Sequence, residues 1–292
     1  MLALMRLILL AAAVAACGLS QALSANWEEL TGPDFVEAIQ QAKGVCLLPF
    51  GIIEKHGPAG PMGTDLLNVR YATFEAVKQE YAIVFPEYYF GQIFEAKHQP
   101  GTIAYSTHLQ LELLQETTNE MARNGCLKVV IISGHGGNTN LIQFFAQTQL
   151  EKPKDWVLYA IMNDGQGRGA TGVPGRSKPG ADGHGGEAEM SNVMAHRPDL
   201  VHPERAPQES GADLKRLDLP GGVYTGIWWY ASFPNHYQGD AAGANAARGS
   251  ASMRARANGI ANAIRAIKVD TAGPRLQQEF FEASKHPIDT KQ

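Results

Sequence analysis

Short, uninterrupted apolar runs alternate along the chain with longer stretches in which apolar residues recur at helical spacing. Residues 45–53 are a continuous apolar run of the kind that forms a strand buried on both faces, residues 127–133 read as the next buried strand, and residues 156–162 as a further strand. A shorter run at 82–85 is limited by Pro86. Between these runs, Thr31 can cap a helix that has Pro33 and Asp34 in its first turn and extends to about Lys43, where Gly44 ends it. Residues 65–81 show helical spacing through Leu66, Val69, Thr73 and Val77. Thr107 with Gln110 forms a capping-box pattern for a helix ending at Asn124-Gly125. Further helices are predicted from about Asn140, over 187–196, and over an Ala-rich stretch at 244–267. Residues 163–183 are Gly-rich and polar, and 203–243 are loop-rich with an aromatic group at Trp228, Trp229 and Tyr230. Alternating strands and helices imply a three-layer α/β/α domain with a mainly parallel central sheet. No linker divides it, so one domain is expected over 26–270 with a tail at 271–292.

The first 24 residues stand outside this pattern. Arg6 precedes an apolar run at 7–16 that has the length of a signal-peptide core and is too short to span a bilayer. Two exits are open: the small-residue site Ala22-Leu23-Ser24, or the lipobox-like Val14-Ala15-Ala16-Cys17, which would leave Cys17 lipidated. Either predicts export to the periplasm or cell envelope. An oxidising compartment would let Cys46 and Cys126, each near the start of a strand, form a disulfide. Two buried free thiols are weighted slightly higher, because sequence supplies no Cα separation.

The 292 residues are 44% hydrophobic and 18% charged, with a net charge of −4 and a pI near 6.1, an ordinary globular composition. No clustered basic face suggests nucleic acid. Arg254 and Arg256 read as the solvated face of the last helix.

Candidate chemistry collects at strand ends, where open parallel sheets bind ligands. After the first strand comes Gly51-Ile52-Ile53-Glu54-Lys55-His56-Gly57-Pro58. Glu54 and His56 are two apart and project to one side of an extended chain. Asp65 follows at the mouth of the next helix. Two carboxylates and an imidazole suit Zn, Mn or Fe; the plainer alternative is a polar loop with Asp65 as a helix cap. After the third strand, Ser133-Gly134-His135-Gly136-Gly137-Asn138 places one histidine in a tight glycine turn. The third segment runs Asp182-Gly183-His184-Gly185-Gly186-Glu187-Ala188-Glu189-Met190-Ser191. Glu187 and Glu189 cannot face the same way on a helix, so one points into a site while the other caps or meets solvent.

Together these segments resemble the creatininase (creatinine amidohydrolase) family, which carries G-x-x-E-x-H-G-P…P-x-G-T-D, G-H-G-G-N and H-A-G-E-x-E-T-S in that order. Lys97-His98-Gln99-Pro100-Gly101-Thr102-Ile103 looks like the family's H-x-x-P-G-T stretch, and the resemblance covers roughly residues 28–265. It implies two divalent ions, Zn and/or Mn with Fe as an option, held by Glu54, His56, Asp65 and His135, with Asp65 bridging. Creatininase takes a fifth ligand from a glutamate two residues after the glycine-turn histidine. That position here is Gly137, which puts creatinine in question as substrate. Glu189 is the first choice of replacement and Glu187 the second. Two further departures are Ala59-Gly60 in place of His-Leu and Met190 in place of Thr.

The implied reaction is hydrolysis of a C–N bond, other than an ordinary peptide bond, in a cyclic amide, formamide or small peptide. His184 is the candidate general acid. His98 is expected to touch substrate or support the ligands. His236, in the aromatic loop, is expected likewise to touch substrate or support the ligands, from a neighbouring subunit, and Trp228 and Trp229 are assigned to packing or an interface. The resemblance also implies a homo-oligomer, a hexamer by family habit. The rival reading is a non-catalytic metal- or ligand-binding envelope protein on the same scaffold.

Overall fold

In the computed structural model, residues 23–162 and 173–289 are described. The leader through residue 22, including Cys17, and part of the Gly-rich loop lie outside them. Strands β1 (Val45–Phe50), β2 (Ile83–Val84), β3 (Lys128–Ser133) and β4 (Val157–Ile161) form a parallel sheet in the order β2-β1-β3-β4. In the central pair, Cys46 is level with Val129 and Phe50 with Ser133.

Successive strand side chains point to opposite faces, so each apolar run feeds two cores. Val45, Leu47, Val130 and Ile132 pack under helices α2 (Thr64–Val77) and α7 (Ala246–Val269). Leu48, Phe50, Val129 and Ile131 pack with α1 (Gly32–Gln41), α3 (Thr107–Arg123) and α4 (Thr139–Thr148) on the other face. This is the three-layer α/β/α arrangement predicted from the pattern. Helix α5 (Glu187–Met194) lies against α7 and α2, and α6 (Trp228–Ser232) is a short helix within the long aromatic loop.

Four local expectations are corrected. The cap of α3 is Ser106, whose Oγ accepts from Leu109 N, and not Thr107. Cys46 and Cys126 form a disulfide, with Cα atoms 5.5 Å apart; a parallel neighbour supplied the proximity that sequence could not. Arg256 is buried and donates to Ser133 O from within α7, while Arg254 is exposed. The stretch assigned to a tail contains helix α8 (Ala272–Ala283). It buries Phe281 and is tied to β4 by Gln277 Nε2 donating to Trp156 O. Among the described residues, no helix is long and apolar enough to cross a membrane.

Candidate metal centre

From β1 the chain crosses to β2 on one side, whereas β3 and β4 extend the sheet on the other. The crevice between the carboxyl ends of β1 and β3 is therefore the topological switch point, where open α/β sheets bind ligands. The segment after β1 leaves the ladder at once: Gly51 N bonds to Tyr88 O and Glu54 N to Met62 O. That turn carries Glu54 and His56 over the crevice, α2 starts at Thr64 and brings in Asp65, and β3 delivers His135.

Glu54, His56, Asp65, His135 and Glu189 meet there, all buried. His135 Nδ1 lies 2.9 Å from both Glu54 Oε1 and Asp65 Oδ2. His56 Nε2 lies 3.4 Å from Asp65 Oδ1 and 3.8 Å from Glu189 Oε2. The two oxygens of Asp65 thus address different imidazoles. His56 Nδ1 donates to Glu54 O at 3.1 Å, so in the neutral, metal-binding form of the ring the lone pair is on Nε2, facing the carboxylates.

Glu187 turns the other way. Its carboxylate accepts from Arg248 Nη1, Ser177 N and Ser177 Oγ, and Arg248 Nη2 also donates to Asp182 at 3.0 Å. The second-choice ligand is a structural ion pair, and Glu189 faces the crevice.

The other predicted residues are placed as follows. His184 lines the same pocket, with Nε2 donating to Lys55 O at 2.7 Å. His236 belongs to this chain's own pocket, correcting its assignment to a neighbouring subunit. Its Nε2 lies 2.5 Å from Glu54 Oε2. Trp229 is not merely packing: its indole N–H donates to His236 Nδ1 at 2.7 Å, so the proton of a neutral His236 sits on Nε2, facing Glu54. His98 is exposed and bonds to Pro234 O at 2.7 Å, outside the crevice. Glu95, Gln92 and Tyr224 also line the pocket and were not foreseen, for no local motif marks them.

Electrostatics follow from this crowding. Burial pushes the Glu54 carboxyl up, but the charge on His135 and the hydrogen bond from His236 outweigh it and hold the group well below the usual carboxylate range. Burial disfavours charge on His56 as well, yet Asp65 and Glu54 raise it to about 9. His135 is raised well above its usual value against the same burial, by Glu54 and Asp65. His184 falls to about 3, chiefly through burial. It is neutral, so its 3.7 Å approach to Glu54 is no ion pair.

The donor set fits divalent cations. Glu54 Oε1, His56 Nε2 and Asp65 Oδ2 are buried and, although His135 lies 2.9 Å from the two oxygens, none makes a contact of hydrogen-bond geometry, a costly state that a shared cation would relieve. Ligands about 2.1 Å from one tetrahedral ion stand roughly 3.4 Å from each other, and the N–O separations here run from 2.9 to 3.9 Å.

A parallel α/β scaffold with a buried carboxylate–imidazole cluster at its switch point defines a metallohydrolase-like class. The chain matches the creatininase (creatinine amidohydrolase) family model over residues 28–264 and belongs to that family. It is 28% identical over 235 residues to the mycofactocin precursor peptide peptidase of Mycolicibacterium smegmatis, covering 78% of this chain and 87% of that one. Solved creatininases share the fold. A Zn–Zn form has a TM-score of 0.71 at 22% identity, covering 85% of this chain and 99% of the other. A manganese form has 0.69 at 21% identity, covering 85% and 100%.

Two departures from the family pattern prove to be one. A Cβ at Gly60 would lie 2.5 Å from Met190 Sδ, so the larger residue at 190 fills the space given up at 60.

Proposed function

We propose that this chain is an exported hydrolase that cleaves a C–N bond of an amide with two divalent ions, Zn or Mn with Fe as an option. The observation that carries the reading is the convergence of buried Glu54, His56, Asp65 and His135, whose facing N and O atoms crowd together without satisfying one another as hydrogen bonds. One ion is assigned to Glu54, Asp65 and His135, and the second to His56, Asp65 and Glu189, with Asp65 shared. When bound, such a pair would supply Lewis acidity and lower the pKa of a coordinated water from about 15.7 towards 7.

The remaining work falls to the chain's own side chains. Trp229 and His236 hold the Glu54 carboxylate in one orientation. His184 has its Nε2 proton engaged by Lys55 O, so Nδ1 carries the lone pair. In that state it takes a proton during attack and returns it to the leaving nitrogen, acting as base and then acid. The general-acid role expected from sequence becomes the second half of its cycle.

Gly137 argues against creatinine itself, and the peptidase relative keeps small peptides among the candidate amides beside cyclic amides and formamides. Export is supported by the leader and by a disulfide, which persists in oxidising compartments. A homo-oligomer is supported by exposed Leu214, Leu217, Leu219 and Val223 on one loop. The test is an amide panel with protein loaded with Zn or Mn. Metal-dependent hydrolysis of at least one C–N bond is expected, while two-ion protein that hydrolyses none would favour the non-catalytic binding reading.

A further inference from the structure

We infer that Glu95 determines the specificity of this site, and that the substrate is an amide with a cationic group beside the scissile bond and an apolar arm beyond it. The inference rests on the hydrolase reading for the scissile bond and on independent geometry for the rest.

Two cavities adjoin at the centre. The inner one, about 410 Å³, contains Glu54, Asp65, His135, His184 and Glu189. The outer one, about 680 Å³, is lined by Phe94, Lys97, His98, Ile227 and Tyr230. Gln92, Glu95 and Tyr224 line both and so form the junction.

The glycine turn anchors the segment that carries Glu95. Asn138 Oδ1 accepts from Gln92 N at 2.9 Å, and Gln92 Oε1 accepts from Phe94 N at 2.6 Å. The approach needs Gly91, because a Cβ there would lie 2.4 Å from Asn138 Oδ1. A Cβ at Gly137 would lie 3.2 Å from Glu95 Oε1 and 2.4 Å from His135 Nε2. Glu95 therefore brings a carboxylate, from another part of the chain, next to the space that a side chain at 137 would enter.

This carboxylate is uncommitted. Glu54 and Asp65 face imidazoles, and Glu189 accepts from Gly185 N. Glu95 has no hydrogen bond or ion pair among the described residues. A carboxylate beside aromatic rings is the chemistry that selects an ammonium or guanidinium group. Lys97 lines the outer cavity and not the inner one, so positive charge is favoured at the junction and disfavoured farther out. Phe94, Ile227 and Tyr224, the last 77% exposed, offer the arm an apolar wall.

The test is calorimetric titration of zinc-loaded protein with phenethylamine and with phenethyl alcohol, which share an aromatic arm and differ in charge. Wild type should bind the amine at least about tenfold more tightly, Glu95→Gln should abolish the preference, and Glu95→Asp should keep part of it. All three should hold equal zinc, which separates the effect from misfolding or metal loss. Equal binding of the two probes by wild type would overturn the inference, as would a preference that survives in Glu95→Gln. Discrimination between the probes without hydrolysis of any amide would sink the hydrolase reading and leave the binding role of Glu95 standing.

Discussion

Glu187 and Glu189 lie two residues apart on one helix, and exchanging each for glutamine should separate structure from metal binding. Glu187 meets Arg248, which is 6% exposed and otherwise keeps only its contact with Asp182 in this cluster. Removing one partner of a buried ion pair costs about 3–5 kcal/mol. The surviving Asp182 contact places Glu187→Gln at the lower end, near 3 kcal/mol. For a domain of this size that lowers Tm by roughly 5–10 °C. Glu189→Gln keeps an oxygen for Gly185 N–H and removes one negative charge from a cluster of carboxylates. Its metal-free Tm should change by less than about 2 °C. Metal content should move the opposite way: two equivalents retained in Glu187→Gln, and a clear loss in Glu189→Gln. Differential scanning calorimetry of chelated protein and elemental analysis of loaded protein read the two effects separately. If Glu187→Gln lost metal with an unchanged Tm while Glu189→Gln kept two ions, the division of labour drawn here would be wrong.

Other perturbations have equally definite outcomes. Replacing Cys46 and Cys126 together by alanine opens a loop of 80 residues, for which chain entropy predicts a loss of about 4.5 kcal/mol; an unchanged urea midpoint would refute the linkage. Trp229→Phe removes the donor to His236 and should weaken metal affinity about 10–100-fold, measured by competition with a chromogenic chelator; unaltered affinity would remove Trp229 from the relay. In the metal-free protein His56 is raised to about 9 and His135 well above its ordinary value. The stabilisation from their protonation is fully present below the unfolded value of about 6.5 and, for His56, is lost as pH rises through 9. Metal affinity accordingly rises with pH, and loading at pH 6 should release about two protons. A binding enthalpy independent of the buffer's ionisation heat would contradict this.

Strand periodicity made the sheet legible, because residues 45–50 and 129–132 are apolar on both faces. Strand ends were less so: residues 51–53 continue the apolar run, yet a hydrogen bond to Tyr88 takes Gly51 out of the ladder. The centre was readable because its ligands follow strand ends directly. Helical geometry showed that only one of Glu187 and Glu189 could face the site. Arg248, 61 residues away, decides which, and no local pattern reports that. Glu95 and Trp229 were illegible for the same reason, since each acts through a contact between distant loops. Gly60 and Met190 looked like two separate departures when read one residue at a time, and only packing joins them.

The proposed centre depends on Asp65 addressing two imidazoles at once, 3.4 Å from His56 and 2.9 Å from His135. Elemental analysis of purified wild type beside Asp65→Asn tests this most directly. About two equivalents of divalent metal per chain are expected in wild type and at most about one in the variant, because a single carboxylate serves both ions. Equal metal content in the two proteins would contradict the shared-carboxylate centre, and with it the proposed hydrolase.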